Sequence, residues 1–321
     1  MSPLRMVFCG TPQFAVPSLQ KLIAQSDFEI AAVFTQPDRP RGRGQEVPFS
    51  AVKEVALAAQ LPVQQPAKVR GPEVEEQLRK LAPEVVVIIA YGQIIPARLL
   101  TIPRLGWINL HASLLSKYRG AAPINWAIAN GETITGNTTM HIDAGMDTGE
   151  ILLQQELAIG SEETAPELSV RLAQAGADLM LDTLRGLQKG TITARPQNHS
   201  AATLAPILKR EDGQIRWKLS AREIFNRMRG FAPWPGAFTE FRGQTCHVWG
   251  RPLEASGKAS PLEMPSEPGG LLARRGEVLV TCGAATVLEL THVKLEGRKQ
   301  VSALEFANGA RLHPGERFGN R

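Results

Sequence analysis

An amide and an imidazole two residues apart, Asn109 and His111 in Trp107-Ile108-Asn109-Leu110-His111-Ala112, carry the clearest chemical signal in the chain. The run around them is apolar and strand-sized. Side chains on a strand alternate with period two, so both groups point to one face. Two carboxylates follow on a glycine-bearing loop, Asp143-Ala144-Gly145-Met146-Asp147-Thr148-Gly149. An amide N–H can donate to an oxyanion, and an imidazole can move a proton. A nearby carboxylate fixes the imidazole tautomer and favours its charged form. That set is the minimum kit for acyl transfer. Taken singly, each residue has an ordinary structural use. A buried His or Asn satisfies backbone groups, and Asp-x-Gly makes Asx turns. Side-chain chemistry does not choose between Asp143 and Asp147. Ser113 stands two positions from His111, but the chain has no G-x-S-x-G elbow, which argues against a serine hydrolase.

The elements that must position these groups follow from hydrophobic periodicity. Strands are expected at 6–10, 29–35, 85–90, 107–112 and 135–142, and helices at 14–24, 50–60, 73–81, 122–129 and 163–187. This alternation predicts an α/β domain over 1–189, with a doubly wound, mostly parallel, Rossmann-like sheet. Ligands bind such sheets beyond the carboxyl ends of the strands, where Asn109 and His111 fall. Residues 190–206, rich in Thr, Ala and Pro, read as a linker. Beyond it come one helix at 220–228 and short strands at 237–241, 244–249, 277–281 and 287–293, separated by glycines. This pattern predicts a small antiparallel β-barrel, OB-like, over 207–321. Trp217, Trp234 and Trp249 are expected in its core.

Composition narrows the function classes. The chain has 321 residues, 43% hydrophobic, enough for two cored domains. No apolar run reaches membrane-span length, and the N-terminus lacks a signal-peptide layout. Cys9, Cys246 and Cys282 form no CxxC pair and read as reduced core residues. The six histidines have no zinc-motif spacing, so no metal is expected. The turn Gly10-Thr11-Pro12 lacks G-x-G-x-x-G, which argues against a nicotinamide oxidoreductase. A monomer in a bacterial-type cytosol, the cytoplasmic case, is the expectation. Residues 1–206 hold 18 Lys and Arg against 19 Asp and Glu, whereas 207–321 hold 18 against 12. The whole basic excess thus lies in the second domain and suits a polyanion.

Asn109-x-His111-x-Ser113-Leu114-Leu115, Arg119-Gly120-x-x-Pro123 and Asp143-x-Gly145-x-Asp147-Thr148-Gly149 together resemble the signature of the folate-dependent formyltransferases. The likeness spans nearly the whole chain for members acting on methionylated initiator tRNA. It includes Phe8-Cys9-Gly10-Thr11-Pro12, Thr35-Gln36-Pro37-Asp38-Arg39-Pro40, Ala90-Tyr91-Gly92 and Pro233-Trp234-Pro235. The resemblance implies 10-formyltetrahydrofolate as formyl donor and initiator tRNA charged with methionine as acceptor. It implies Asn109, His111 and Asp147 as the catalytic trio, choosing Asp147 over Asp143. Ser113, Leu114, Leu115 and Ser116 would line the folate site. Ala90, Tyr91, Gly92 and Gln93, with Ile142 and Asp143, would hold the pterin largely through backbone groups. The loop bearing Arg39, Arg41 and Arg43 would close on the tRNA 3′ end, with Arg43 foremost. Lys209 and Arg210 are candidate contacts in the basic domain. The alternative acceptor is another amine, such as an amino-sugar nucleotide.

One position departs from the family pattern. Ser116 stands where proline is usual, in Leu114-Leu115-Ser116-Lys117. Proline restricts φ and stiffens a turn, so serine should loosen this loop and weaken folate binding without removing the chemistry. Ser116→Pro is therefore expected to tighten folate binding in a direct titration; an unchanged affinity would refute the link.

Overall fold

The first strand, β1 (Leu4–Gly10), sends Leu4, Met6 and Phe8 into one core and Val7 and Cys9 into another. The strand β4 (Val85–Ile89) does the same with Val85, Val87 and Ile89 against Val86 and Ile88. Strands apolar at every position need both faces covered, and helices supply that cover. The computed structural model describes residues 2–39, 48–253, 264–274 and 276–319.

On one face lie α1 (Val16–Ile23), α2 (Ala51–Ala58) and α6 (Ala165–Lys189). On the other lie α3 (Pro72–Leu81) and α4 (Ala97–Leu100). The sheet also contains β2 (Phe28–Phe34), β3 (Val63–Gln64), β5 (Trp107–His111), β6 (Ile134–His141) and β7 (Ile151–Ala158). Its order is β3-β2-β1-β4-β5-β6-β7. The first five strands are parallel, whereas β6 is antiparallel to β5 and β7 to β6. Strand order reverses between β1 and β4, which opens a crevice at their carboxyl ends. Ser50 caps α2, its hydroxyl accepting from Lys53 N at 3.1 Å. The strand β7 lacks a clean alternation, and periodicity did not reveal it.

The chain divides into two compact units. One comprises Met1–Ile124, Ile134–Ile159 and Glu167–Pro206; the other comprises Asn125–Thr133, Gly160–Pro166 and Ile207–Arg321. Residues 190–206, read from sequence as a linker, thus group with the first unit. There Arg195 pairs with Ile151 through two backbone hydrogen bonds. Arg119 N donates to Thr203 O at 2.8 Å, and Ala205 N donates to Arg119 O at 2.7 Å. In the second unit, Asn125 Nδ2 donates to Gly230 O at 2.7 Å, and Arg229 Nη1 donates to Glu163 O at 2.7 Å. These contacts explain why two short stretches from the first 189 residues group with the C-terminal part.

The second unit is built on an antiparallel sheet of order β10-β11-β12-β9-β8, with β13 paired to β12. Its strands are β8 (Phe238–Phe241), β9 (Gln244–Pro252), β10 (Leu271–Arg274), β11 (Glu277–Thr281), β12 (Val287–Leu295) and β13 (Val301–Ser302). The helices α7 (Ala221–Gly230) and α8 (Ala303–Ala310) each begin with a serine capping box. Trp217 belongs to the core, stacked 5.4 Å from Phe318. Trp234 and Trp249 do not: they are 56% and 39% exposed. Trp249 has the outward parity on β9, next to inward-facing Val248, and Trp234 sits between two prolines on a turn. Among the described residues, no helix is long and apolar enough to cross a membrane.

Candidate active site

Trp107, Asn109 and His111 share the face of β5 that looks toward α3 and α4. Trp107 is buried there, and its Nε1 donates to Leu99 O at 2.8 Å. The helical cover extends to this residue, and two positions on Asn109 is only half-buried. His111, at the strand's end, is 6% exposed. The opposite face of β5 is packed tightly. Gly176 of α6 lies so near Leu110 that an added Cβ would meet its Cδ2 at 2.6 Å.

Acceptors face both ring nitrogens of His111. Nε2 lies 2.9 Å from Tyr118 O, and Nδ1 lies 3.6 Å from Asp147 Oδ2. A doubly protonated ring donates to both, whereas a neutral ring serves only one. Asp147 is held in turn. Its Oδ2 accepts from Gly120 N at 2.8 Å, and Gln197 Nε2 donates to its carbonyl at 2.9 Å. Gly120 has φ +121, and a Cβ there would lie 2.7 Å from Ala205 O, so only glycine brings this N–H into place.

Asp143 has a different use. Its Oδ1 accepts from Gly145 N at 3.0 Å and from Thr148 Oγ1 at 2.7 Å, organising the turn that carries Asp147. The choice that side-chain chemistry left open is therefore made by position: Asp147 faces the imidazole, and Asp143 shapes its loop. Ser113 is buried, and its Oγ donates to Lys117 O at 2.6 Å, which commits the hydroxyl to the loop.

The 113–116 segment hangs on one buried hydroxyl. Thr138 Oγ1 on β6 donates to Ser113 O at 2.6 Å and accepts from Leu115 N at 3.1 Å. Gln154 Nε2 on β7 donates to Leu115 O at 2.8 Å and to Thr138 Oγ1 at 3.0 Å. Leu115 is buried with Met140 and Ile151, while Leu114 and Ser116 are half-buried. The Leu115–Ser116 peptide is cis.

The other predicted ligand residues fall in several places. Ala90 and Gly92 are exposed with positive φ at the end of β4. The Tyr91 ring is buried, and its carbonyl accepts from Gln36 Nε2 at 2.9 Å. The Gln93 side chain is occupied: its Oε1 accepts from Val69 N at 2.6 Å, and its Nε2 donates to Pro66 O at 3.3 Å. Ile142 N donates to Trp107 O at 2.9 Å. A cavity of about 470 Å3 opens at the β1–β4 crevice, with Thr11, Gln36, Asp38, Arg39, Phe49 and Ala90 in its wall. Arg41 and Arg43 lie outside the described residues. In the second unit, Lys209 lies 4.0 Å from Glu211, and Arg210 lies 6.0 Å over the Phe238 ring. Sequence reasoning missed Gly120 as a donor, Thr138, Gln154 and Gln197. Of these, only Gly120 fell inside a motif. Among the described residues, no group of three or more His, Cys, Asp or Glu could hold a metal ion.

Comparison with known proteins covers most of the chain. Residues 4–184 match the formyl transferase family, and residues 207–311 match the formyl transferase C-terminal domain. A methionyl-tRNA formyltransferase of Solibacter usitatus is 53% identical over 317 residues, covering 98% of this chain and 99% of its own. That of Koribacter versatilis is 51% identical, covering 98% of each chain. Among solved structures, an N-formyltransferase from Helicobacter canadensis, in complex with folinic acid and dTDP-3-aminofucose, has the same fold. It superposes with a TM-score of 0.64 at 18% identity, over 90% of this chain and 98% of that one. A sugar 3N-formyl transferase, solved in the presence of dTDP and 5-N-formyl-THF, superposes with a TM-score of 0.63 at 18% identity, over 93% and 100%.

The hub at Thr138 makes a local prediction. Thr138→Val keeps the side-chain shape but strips partners from buried Ser113 O and Leu115 N. A stability loss of about 1–3 kcal/mol is expected in denaturant unfolding. A change within about 0.5 kcal/mol, the range of ordinary surface substitutions, would show that the loop does not depend on this hydroxyl.

Proposed function

This chain belongs to the formyl transferase family, among the methionyl-tRNA formyltransferases, and on that premise we propose that it formylates the α-amine of methionyl-initiator tRNA. Bound 10-formyltetrahydrofolate supplies the formyl carbon as the electrophile. The observation that carries the reading is the His111–Asp147 pair set two residues beyond Asn109 at the open end of β5. Exposed Ala90 and Gly92 fit a pterin gripped by main-chain groups. A new C–N bond forms between the amine and the formyl carbon, the bond to the folate nitrogen breaks, and a proton passes from amine to folate. The protein supplies placement and charge. The Asn109 amide donates to the formyl oxygen as it gains negative charge, and the His111 ring, when charged, stabilises that oxygen electrostatically while its two nitrogens face Tyr118 O and Asp147. Such donors commonly contribute about 10²–10³ in rate. Asp147 holds the ring and accepts the amine's proton on its way to the leaving group.

The acceptor follows from the second unit. Its antiparallel sheet and basic excess support a small OB-like barrel that grips the tRNA backbone. Its outer face sets three rings in line: Phe238 and His247 at 5.9 Å, His247 and Trp249 at 6.5 Å. Arg210 lies over one end, Lys294 is the cross-strand neighbour of His247, and Arg251 follows Trp249 at the other end. Burial first, then Lys294 and Arg210, lower the His247 imidazole from its usual value, which favours the neutral ring. Neutral rings flanked by cations suit stacked bases and their phosphates. Arg39, with Arg41 and Arg43, would reach the 3′ end. The cytosol is where this chemistry is needed.

Incubation with 10-formyltetrahydrofolate and methionyl-initiator tRNA should yield formyl-methionyl-tRNA. Asp147→Asn should cut kcat by about 10² or more, as for loss of a group that orients a catalytic histidine, with folate binding near normal. Survival of turnover within a few-fold would remove Asp147 from the mechanism. The KM for tRNA should rise steeply with salt. Trp249→Ala should raise it about tenfold at constant kcat, as expected for one lost stack. A salt-independent KM, or transfer to an amino-sugar nucleotide instead, would overturn the tRNA reading.

A further inference from the structure

The segment after α6 carries one buried polar side chain whose connections the proposed mechanism does not use. Gln197 is 6% exposed, between the exposed residues Pro196 and Asn198. Its Nε2 donates to two carbonyls of the acidic loop, Asp147 O at 2.9 Å and Gly149 O at 2.8 Å. Its Oε1 accepts from Arg119 Nε at 3.1 Å and Nη2 at 2.6 Å. Arg119 is also buried, with Nη2 3.2 Å from His199 Nδ1. The residue after Arg119 is Gly120, whose N–H holds the Asp147 carboxylate at 2.8 Å. The bonds close a ring: Asp147 carboxylate to Gly120, Gly120 along the chain to Arg119, Arg119 to Gln197, and Gln197 back to the Asp147 carbonyl.

Asp147 needs such a ring. It has φ +53, in the left-handed region that costs a non-glycine residue roughly 1–2 kcal/mol, though Asp tolerates it better than most. Its neighbours Asp143, Ala144, Gly145 and Met146 are exposed. Left to itself, the loop would let the carboxylate swing away from the imidazole. The amide of Gln197 fastens the backbone on both sides of Thr148, while Gly120 fastens the side chain. Only an amide performs both halves of this task, because it donates at one end and accepts at the other.

We propose that Gln197 is the positioning residue for Asp147, fixing the carboxylate against His111 Nδ1 from a segment that carries no catalytic group of its own. This rests on the catalytic role assigned to Asp147. Glutamate at this position keeps the size and the acceptor for Arg119 but loses the donor to the two carbonyls. Leucine removes both. Misplacement of a catalytic group by about 1 Å can cost about 10² in rate.

The test compares Gln197→Glu and Gln197→Leu with wild type, using kcat, KM for each substrate, thermal melting, and the ¹⁵N signals of the His111 ring in ligand-free protein. Gln197→Glu should melt near wild type. Its kcat should fall about 10- to 100-fold with both KM values within about threefold, and its ring signals should move. Wild-type kcat and unmoved ring signals in folded Gln197→Glu would overturn the proposal. So would a loss seen only in Gln197→Leu together with a collapsed melting temperature, since that marks packing alone. The ring signals need no turnover. If wild-type protein failed to formylate methionyl-tRNA, the functional reading would fall while the positioning result stood or fell by the NMR comparison.

Discussion

The structure of the site depends on keeping one carboxylate beside one imidazole. His111 is rigid by birth, since it ends a sheet strand and is itself buried. Asp147 is not, since it rides an exposed turn in a left-handed conformation. The fold resolves this by surrounding Asp147 with fixed donors: Gly120 N on the side chain and Gln197 Nε2 on the backbone. Each donor is itself tied down. Gly120 sits in a stretch paired to 203–205, and Gln197 is clasped by buried Arg119. A polar network of this kind is strong because it is buried and nearly complete; a missing member would leave others unsatisfied.

The rest of the first unit prepares the place for that pair. Fully apolar strands demand helices on both faces, and parallel pairing puts the βα connections at the carboxyl ends of the strands. The helical layer over β5 reaches Trp107 and leaves Asn109 half-open. A polar pair can therefore stand on a strand whose opposite face is packed against α6 through Gly176. Antiparallel pairing of β6 with β5 sets Thr138 opposite His111, where its buried hydroxyl anchors Ser113 O and Leu115 N of the 113–116 loop.

The second unit works by different physics. Its rings and cations lie on an outer sheet face, where water competes with every contact. Its proposed partner must therefore be large and polyanionic, engaging many weak contacts at once. Chemistry with a small donor needs a rigid, partly dry site; holding a nucleic acid needs an extended charged one.

Much of this was legible in the chain. Period-two runs and their helical alternation located five of the seven strands of the first sheet, because burial of a strand on two faces leaves a continuous apolar mark. Asn109 and His111 were placed on one face by parity alone, and the helix starting at 50 was located by its periodicity. Other features left no such mark. The strand β7 lies at a sheet edge, and its residues do not alternate. Trp249 faces outward because of strand parity, which its hydrophobicity masks. Side-chain chemistry left Asp143 and Asp147 equivalent; the family resemblance chose Asp147, and the turn geometry supplies the physical reason. Residues 190–206 read as a linker because they lack periodicity. Yet their backbone pairs with loops more than 40 residues away, and Gln197 reaches Asp147 across 50 positions. Local sequence determines what is periodic and what is reactive. What holds the Asp147 carboxylate against the imidazole was decided only when hydrogen bonds between distant loops closed in three dimensions.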